Sequence, residues 1–235
     1  ELPGQDAFPM DLSAIISNFY SRAGLVRLTN GQTGSVTFLG TVSPAGGNLK
    51  EPVTESTKKA ARCFYALSQG RADSKRYPAI DPLESYSKYL EYPEIRTYLD
   101  EHIEKDWVDQ VYAGKTIVQR GKEANDQINI LGDDGVPVEY HERFWKSELI
   151  DFVILQQDAF DAIDANCLIE RQKMMYEMVL GICRKSFGFS DFEECSQFFK
   201  GLINLFRQMN YSEWKSAKFE DYRKQIEAYV DAKTK

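Results

Sequence analysis

The sequence has few of the residues on which catalytic and metal sites are usually built. It has two histidines, His102 and His141, outside any His-Glu-x-x-His pattern. Its four cysteines, Cys63, Cys167, Cys183 and Cys195, include no Cys-x-x-Cys spacing. Zinc arrangements and a disulfide framework are thereby excluded, and the cysteines read as buried thiols of a reducing compartment, with the cytoplasm as the default. No glycine-rich dinucleotide turn, Gly-x-Ser-x-Gly elbow or Gly-x-x-x-x-Gly-Lys-Ser/Thr loop occurs, which removes the common nucleophile and phosphate-cradle readings. No apolar run approaches the ~20 residues a membrane-spanning helix needs, so direct membrane insertion is not expected. With 29 basic against 36 acidic residues the net charge is −7, which argues against nucleic acid or an anionic membrane as the main partner. Acid pairs such as Asp133-Asp134 and Glu193-Glu194 read as solvated surface.

Proline is absent after Pro137, and only three of the fifteen glycines follow it. Proline removes an amide donor and clashes inside a helix, so its absence permits long helices, and the apolar spacing predicts them over residues 140–158, 167–187, 191–209 and 212–232. Ser190 and Glu193 form a capping-box signature before the third. Earlier, Leu12, Ile15, Ile16 and Phe19 share one face of a helix that Gly24 would stop, and residues 25–29 and 35–42 read as strands around the turn-forming Asn30-Gly31-Gln32-Thr33-Gly34. Two strands alone are marginal, so they are expected to belong to a larger sheet. A helix is predicted over 54–67, and another beyond Pro93, with Ile95, Leu99, Ile103, Trp107 and Val111 at successive fours, ending near Gly121. The chain opens at Glu1 and is expected to be a piece of a longer polypeptide. Composition and spacing alone give an α-rich globular chain without an assigned role.

Several short motifs carry a resemblance. Ser43-Pro44 is followed by Gly46-Gly47, then Glu51-Pro52-Val53-Thr54, Tyr77-Pro78-Ala79-Ile80 and Ser85-Tyr86-Ser87. In that order and separation they resemble the catalytic A subunit of V-type and archaeal rotary ATPases. Upstream PGQDAFPMDLSAIISNFYSRAGLV and downstream LQQDAF also fit, whereas the ending beyond Ser190 departs from the pattern. The resemblance implies a mainly α fold: residues 1–90 as the C-terminal part of a RecA-like nucleotide-binding domain with few strands, and residues 91–235 as a C-terminal helical bundle domain.

It further implies the C-terminal part of a subunit that couples ATP hydrolysis or synthesis to transmembrane H⁺ or Na⁺ transport. ATP or ADP with Mg²⁺ would serve the full-length enzyme, with none tightly bound by this chain. Expected partners are a B subunit, alternating with A in a hexamer, and the central stalk, at a cytoplasmic location peripheral to the membrane. No catalytic residue is expected here. By resemblance Tyr77 and Phe160, with Gln157 and Ala159, form the adenine pocket, and Asn48, Lys50 and Glu51 face the rotor. Pro78 disfavours helical backbone at Tyr77 and favours an outward ring. Such a ring can stack on a base for about 1–3 kcal/mol. The plainer alternatives are a loop aromatic packed on its own domain for Tyr77, a helical core position for Phe160 beside Ile154 and Ile163, and a solvent loop for residues 44–52. For the whole chain the alternative is a stand-alone, non-catalytic helical scaffold.

Overall fold

The structure is a computed structural model that describes residues 8–234. The start of the upstream resembling segment, up to Ala7, lies outside the described residues.

Helix α1 (Leu12–Tyr20) forms where the apolar spacing predicts it. Strands β1 (Gly24–Arg27) and β2 (Thr33–Val36) then pair antiparallel, Gly24 opposite Val36 and Arg27 opposite Thr33. Their turn places Gly31 at φ 85°, the left-handed region that glycine adopts without a Cβ penalty. The second strand is shorter than expected. The pair is a separate two-stranded sheet that leaves Leu25, Val26 and Val36 exposed. Helix α1 is held by aromatic packing of Phe19 and Tyr20 on Phe38, and by a 2.7 Å hydroxyl contact between Ser13 and Ser56.

Helix α2 (Pro52–Ala60) has Pro52 in its first turn, where a missing N–H costs nothing. It stops well before residue 67. Ala61 turns extended, and β3 (Cys63–Phe64) pairs antiparallel with β4 (Tyr86–Ser87), the Phe64 and Tyr86 rings 5.9 Å apart. The pairing continues through Leu67 and Ile80, with Ser68 N–H to Ala79 O at 2.9 Å. The intervening segment, carrying the short helix α3 (Gln69–Asp73), is held out as a loop bearing Tyr77.

Beyond Pro93 the expected single helix is two. α4 (Pro93–His102) ends before Asp106, which adopts left-handed φ 60° and breaks the run, and α5 (Trp107–Leu131) follows. Gly121 does not end it. A Cβ there would collide with Ser147 and come within 3.1 Å of the Arg143 carbonyl, so this glycine lets α5 press against α6 (Val138–Ile150).

The remaining helices are α7 (Ile169–Arg184), α8 (Phe192–Asn210) and α9 (Ala217–Asp231), near their predicted places, α7 and α9 shorter at their ends and α8 displaced by one residue. The cap of α8 is one residue later than predicted: Asp191 accepts from Glu194 N–H at 2.8 Å, while the Glu194 carboxylate accepts from Ser190 N–H at 2.7 Å. The core gathers here, with Leu149, Val179, Phe199, Leu202, Phe206, Met209 and Phe219 excluded from solvent. Cys183 and Cys195 are buried, and desolvation pushes both thiols up to about 12. Cys63 is half-buried and Cys167 is exposed, correcting the expectation of four buried thiols. The architecture is mainly α, and no helix among the described residues is long and apolar enough to cross a membrane.

Candidate functional site

Helix α6 does not continue to residue 158. It loosens into a π turn over Asp151–Leu155, closed by Gln156 N–H to Asp151 O at 3.0 Å, and the chain then leaves helical geometry. Such turns recur at functional sites because they redirect the residues that follow. Here three aspartates spaced by three shape the exit. Asp158 accepts from Phe160 N–H at 2.9 Å, and Asp161 accepts from Ile163 and Asp164 N–H at 2.9 and 2.8 Å. Asp164 accepts from Asp158 N–H at 2.7 Å. These side-chain-to-backbone bonds replace the helical ladder. They leave Phe160 fully exposed in a loop, so its expected helical core alternative does not hold.

Tyr77 reaches the same place from the other side. After α3, Lys75 at φ 58° and an Arg76 N–H bond to Arg71 O at 2.8 Å turn the chain. The Tyr77 ring is 54% exposed, its hydroxyl donating to Ala72 O at 3.3 Å, and its carbonyl accepts from Gln157 N–H at 2.9 Å.

Buried charge locks the two segments together. Arg76 forms two 2.9 Å hydrogen bonds to Glu148 and a further bond to Asp151, and Arg71 meets Asp151 at 2.7 Å. The paired carboxylates hold the Arg76 guanidinium firmly protonated, its pKa raised first by the Glu148 bonds. Asp151 is buried, and two guanidinium partners offset the desolvation that would otherwise penalise it. The Arg76 and Arg207 guanidinium groups lie 5.0 and 5.1 Å from the centre of the Phe152 ring.

The result is an open cavity of about 390 Å³, lined by all four residues expected at the base pocket, Tyr77, Gln157, Ala159 and Phe160. Lys75, Phe152, Arg207 and Tyr211 complete much of its wall. Burial raises the Asp164 carboxyl above its ordinary range, and burial together with the neighbouring Asp158 charge raises the Tyr211 phenol. Apolar rings beside a few directed amides suit a flat heteroaromatic group better than a bare ion. The Asp158, Asp161 and Asp164 spacing was visible in the sequence. Arg207 and Tyr211, on and after α8, gave no local signal.

Asn48, Lys50 and Glu51 lie elsewhere, on the loop before α2. Asn48 and Lys50 are exposed, and Lys50 N–H donates to the Asn48 side chain at 3.0 Å. Glu51 caps α2, accepting from Thr54 N–H at 3.2 Å and from its hydroxyl at 3.1 Å. Their geometry organises the loop. Among the described residues no cluster of three or more His, Cys, Asp or Glu side chains could hold a metal ion.

Comparison with known proteins gives these positions a context. Residues 1–87 match the model of the ATP synthase alpha/beta family, nucleotide-binding domain. The V-type ATP synthase alpha chain of Treponema denticola is 39% identical over 233 residues, 99% of this chain and 37% of that relative. The corresponding protein of Protochlamydia amoebophila is 36% identical over 235 residues, 100% of this chain and 39% of its own length. This chain thus spans well under half the length of these curated relatives. Among solved structures, an ATP synthase subunit, NeqB from Nanoarcheaum equitans, superposes with a TM-score of 0.58 at 23% identity, covering 79% of this chain and 43% of that one. That likeness concerns the fold.

Proposed function

Because this chain is homologous along essentially its whole length to V-type ATP synthase alpha chains, we propose that it is the C-terminal part of such a subunit and supplies the base end of its nucleotide pocket. In this reading Tyr77 and Phe160 flank adenine, Gln157 and Ala159 border its edge, and phosphate and Mg²⁺ chemistry belongs to polypeptide outside this sequence. The assembled subunit would work with a B subunit and a central stalk, peripheral to a membrane on its cytoplasmic side, to couple ATP hydrolysis or synthesis to H⁺ or Na⁺ transport. Residues 1–90 would complete a RecA-like domain, and residues 91–235 would form the helical domain. The loop of Asn48, Lys50 and Glu51 would face the rotor.

The observation that carries this reading is the shared cavity, in which two chain segments joined by the Tyr77–Gln157 hydrogen bond present all four expected residues. Most nucleotide affinity and all phosphoryl transfer depend on donors and metal gathered at the phosphates. The 235-residue chain is therefore expected to bind adenosine and ATP with similarly weak affinity and to hydrolyse none. NMR titration should perturb Tyr77 and Phe160 with either ligand, and Tyr77→Ala should abolish the response. Micromolar Mg-ATP affinity dependent on the triphosphate, or perturbations confined to other faces, would defeat the proposal.

A further inference from the structure

No packing holds the Phe160 ring, which is fully exposed, so its place in the base cavity is set by the backbone that carries it. That backbone is anchored before the ring by the Gln157 N–H bond to the Tyr77 carbonyl and by the Asp158 N–H bond to the Asp164 carboxylate at 2.7 Å. The contact at Phe160 itself is the 2.9 Å bond from its N–H to Asp158 Oδ1. It depends on one carboxylate keeping its orientation.

A carboxylate turns readily about its last torsion, because that torsion is broad rather than staggered. At Asp158 the second oxygen is held as well. The Tyr211 hydroxyl donates to Asp158 Oδ2 at 3.3 Å, from a residue 53 positions away in the chain. Tyr211 closes α8, its N–H bonded to Arg207 O at 3.2 Å, and Met209 and Ser212, on either side of it in sequence, are buried. The phenol is thus rooted on a helix of the core. Burial first, and then the Asp158 charge, raise its pKa, so at neutral pH it remains a donor. Asp158, Phe160 and Tyr211 all line the base cavity.

We propose that Tyr211 is a positioning residue of the base cavity: its hydroxyl fixes the Asp158 carboxylate in the orientation that holds the Phe160 backbone, and with it the ring that flanks the base. This role rests on Tyr77 and Phe160 being the walls of an adenine pocket, as proposed for the chain's function, and adds the residue that keeps one wall in place. A ring already held needs less ordering when a flat ligand arrives, and affinity rises accordingly.

The test compares the ¹⁵N-labelled 235-residue chain with its Tyr211→Phe, Asp158→Ala and Asp158→Asn variants and the Tyr211→Phe/Asp158→Ala double variant, with ATP as the probe. Tyr211→Phe keeps the ring and removes only the hydroxyl. Without ligand it should shift the Phe160 amide signal, and in ATP titrations read at the Tyr77 and Phe160 amides it should weaken affinity roughly three- to tenfold, the range of one hydrogen bond. Asp158→Ala should weaken it at least as much, and Asp158→Asn, which keeps an acceptor for Phe160 N–H, should recover part of that loss. Because both residues act through one carboxylate, the double variant should be no weaker than Asp158→Ala alone. A merely structural effect of Tyr211 would instead add to that of Asp158→Ala. A Phe160 amide signal unmoved by Tyr211→Phe, or additive losses in the double variant, would overturn the assignment. Should the parent chain show no response to ATP at Tyr77 and Phe160, the adenine reading fails, and the ligand-free Phe160 signal still decides whether Tyr211 positions that residue.

Discussion

Arg76 holds Glu148 through two parallel hydrogen bonds of 2.9 Å, one from each terminal guanidinium nitrogen. The pair joins the loop before Tyr77 to α6, next to two residues of the cavity wall, Lys75 and Tyr77. The geometry needs a planar fork, which lysine cannot reproduce. The pair is half-buried, so removing one partner should cost less than the ~3–5 kcal/mol typical of a fully buried pair, about 2–3 kcal/mol. Arg76→Met is expected to lose that amount in urea denaturation, and Arg76→Lys about half. In both, the Gln157 amide should exchange faster, because its acceptor carbonyl is carried on the freed loop. An Arg76→Met variant as stable as the parent would remove the pair from any structural role.

Gly121 separates two effects that oppose each other. Alanine at a helix interior gains about 1 kcal/mol over glycine through backbone entropy. The added methyl would meet the Ser147 side chain and the Arg143 carbonyl across the α5–α6 contact, and overpacking of this kind costs roughly 1–3 kcal/mol. Backbone cannot swing aside, so the clash should win. Gly121→Ala is expected to destabilise by about 1–2 kcal/mol, and Ser147→Gly in the same chain should recover part of that loss. Guanidinium denaturation of the two variants reads both, and a stabilised Gly121→Ala would show that the helices separate freely.

What was legible in the sequence depended on how local its cause was. The four C-terminal helices were readable because their apolar spacing and lack of proline act within each segment. The turn around Gly31 was readable because few residues accept positive φ. The break at Asp106 was not, since no glycine or proline marks it. Gly121 looked like a stop because the surface it approaches, Ser147, comes from another helix. Residues 63–64 looked helical because the strand that claims them, at Tyr86 and Ser87, is remote in the chain. At the site, the resemblance supplied Tyr77 and Phe160 as a pair. The Arg76–Glu148–Asp151 lock and Arg207 were hidden because they depend on tertiary pairing alone.

Acid should reveal a different fastening. Glu194, near the start of α8, accepts from Lys233 beyond α9 and from Ser190 N–H, and these bonds, the lysine first, lower its pKa to about 2. A depressed carboxyl contributes stability above its unfolded value of about 4.3, and that contribution is lost as pH falls through the folded value. The affected window is therefore between about pH 4.5 and pH 2. Glu194→Gln is expected to flatten the stability profile across that window and to lower stability at neutral pH. Thermal melts at stepped pH check it. Parallel profiles for parent and variant would assign the acid response to other groups.

The most uneven feature of the chain is where protection from solvent lies. Helix α8 carries Phe199, Leu202 and Phe206 with no exposed surface, packed between α6 and α9. The β1–β2 ladder has Leu25 76% exposed and, among the described residues, no third strand against it. Two-stranded ribbons are marginal in water, and local opening is cheapest where few apolar contacts must break. Hydrogen exchange should therefore find the ladder amides of Val26 and Gly34 orders of magnitude faster than those of Leu202 and Phe206. The α8 amides should exchange only with global unfolding, following its denaturant dependence, while the ladder amides remain insensitive to denaturant at low concentration. If the slowest amides of the chain fell in the ladder instead, the exposed strands would have to be held by contacts that burial and pairing do not reveal.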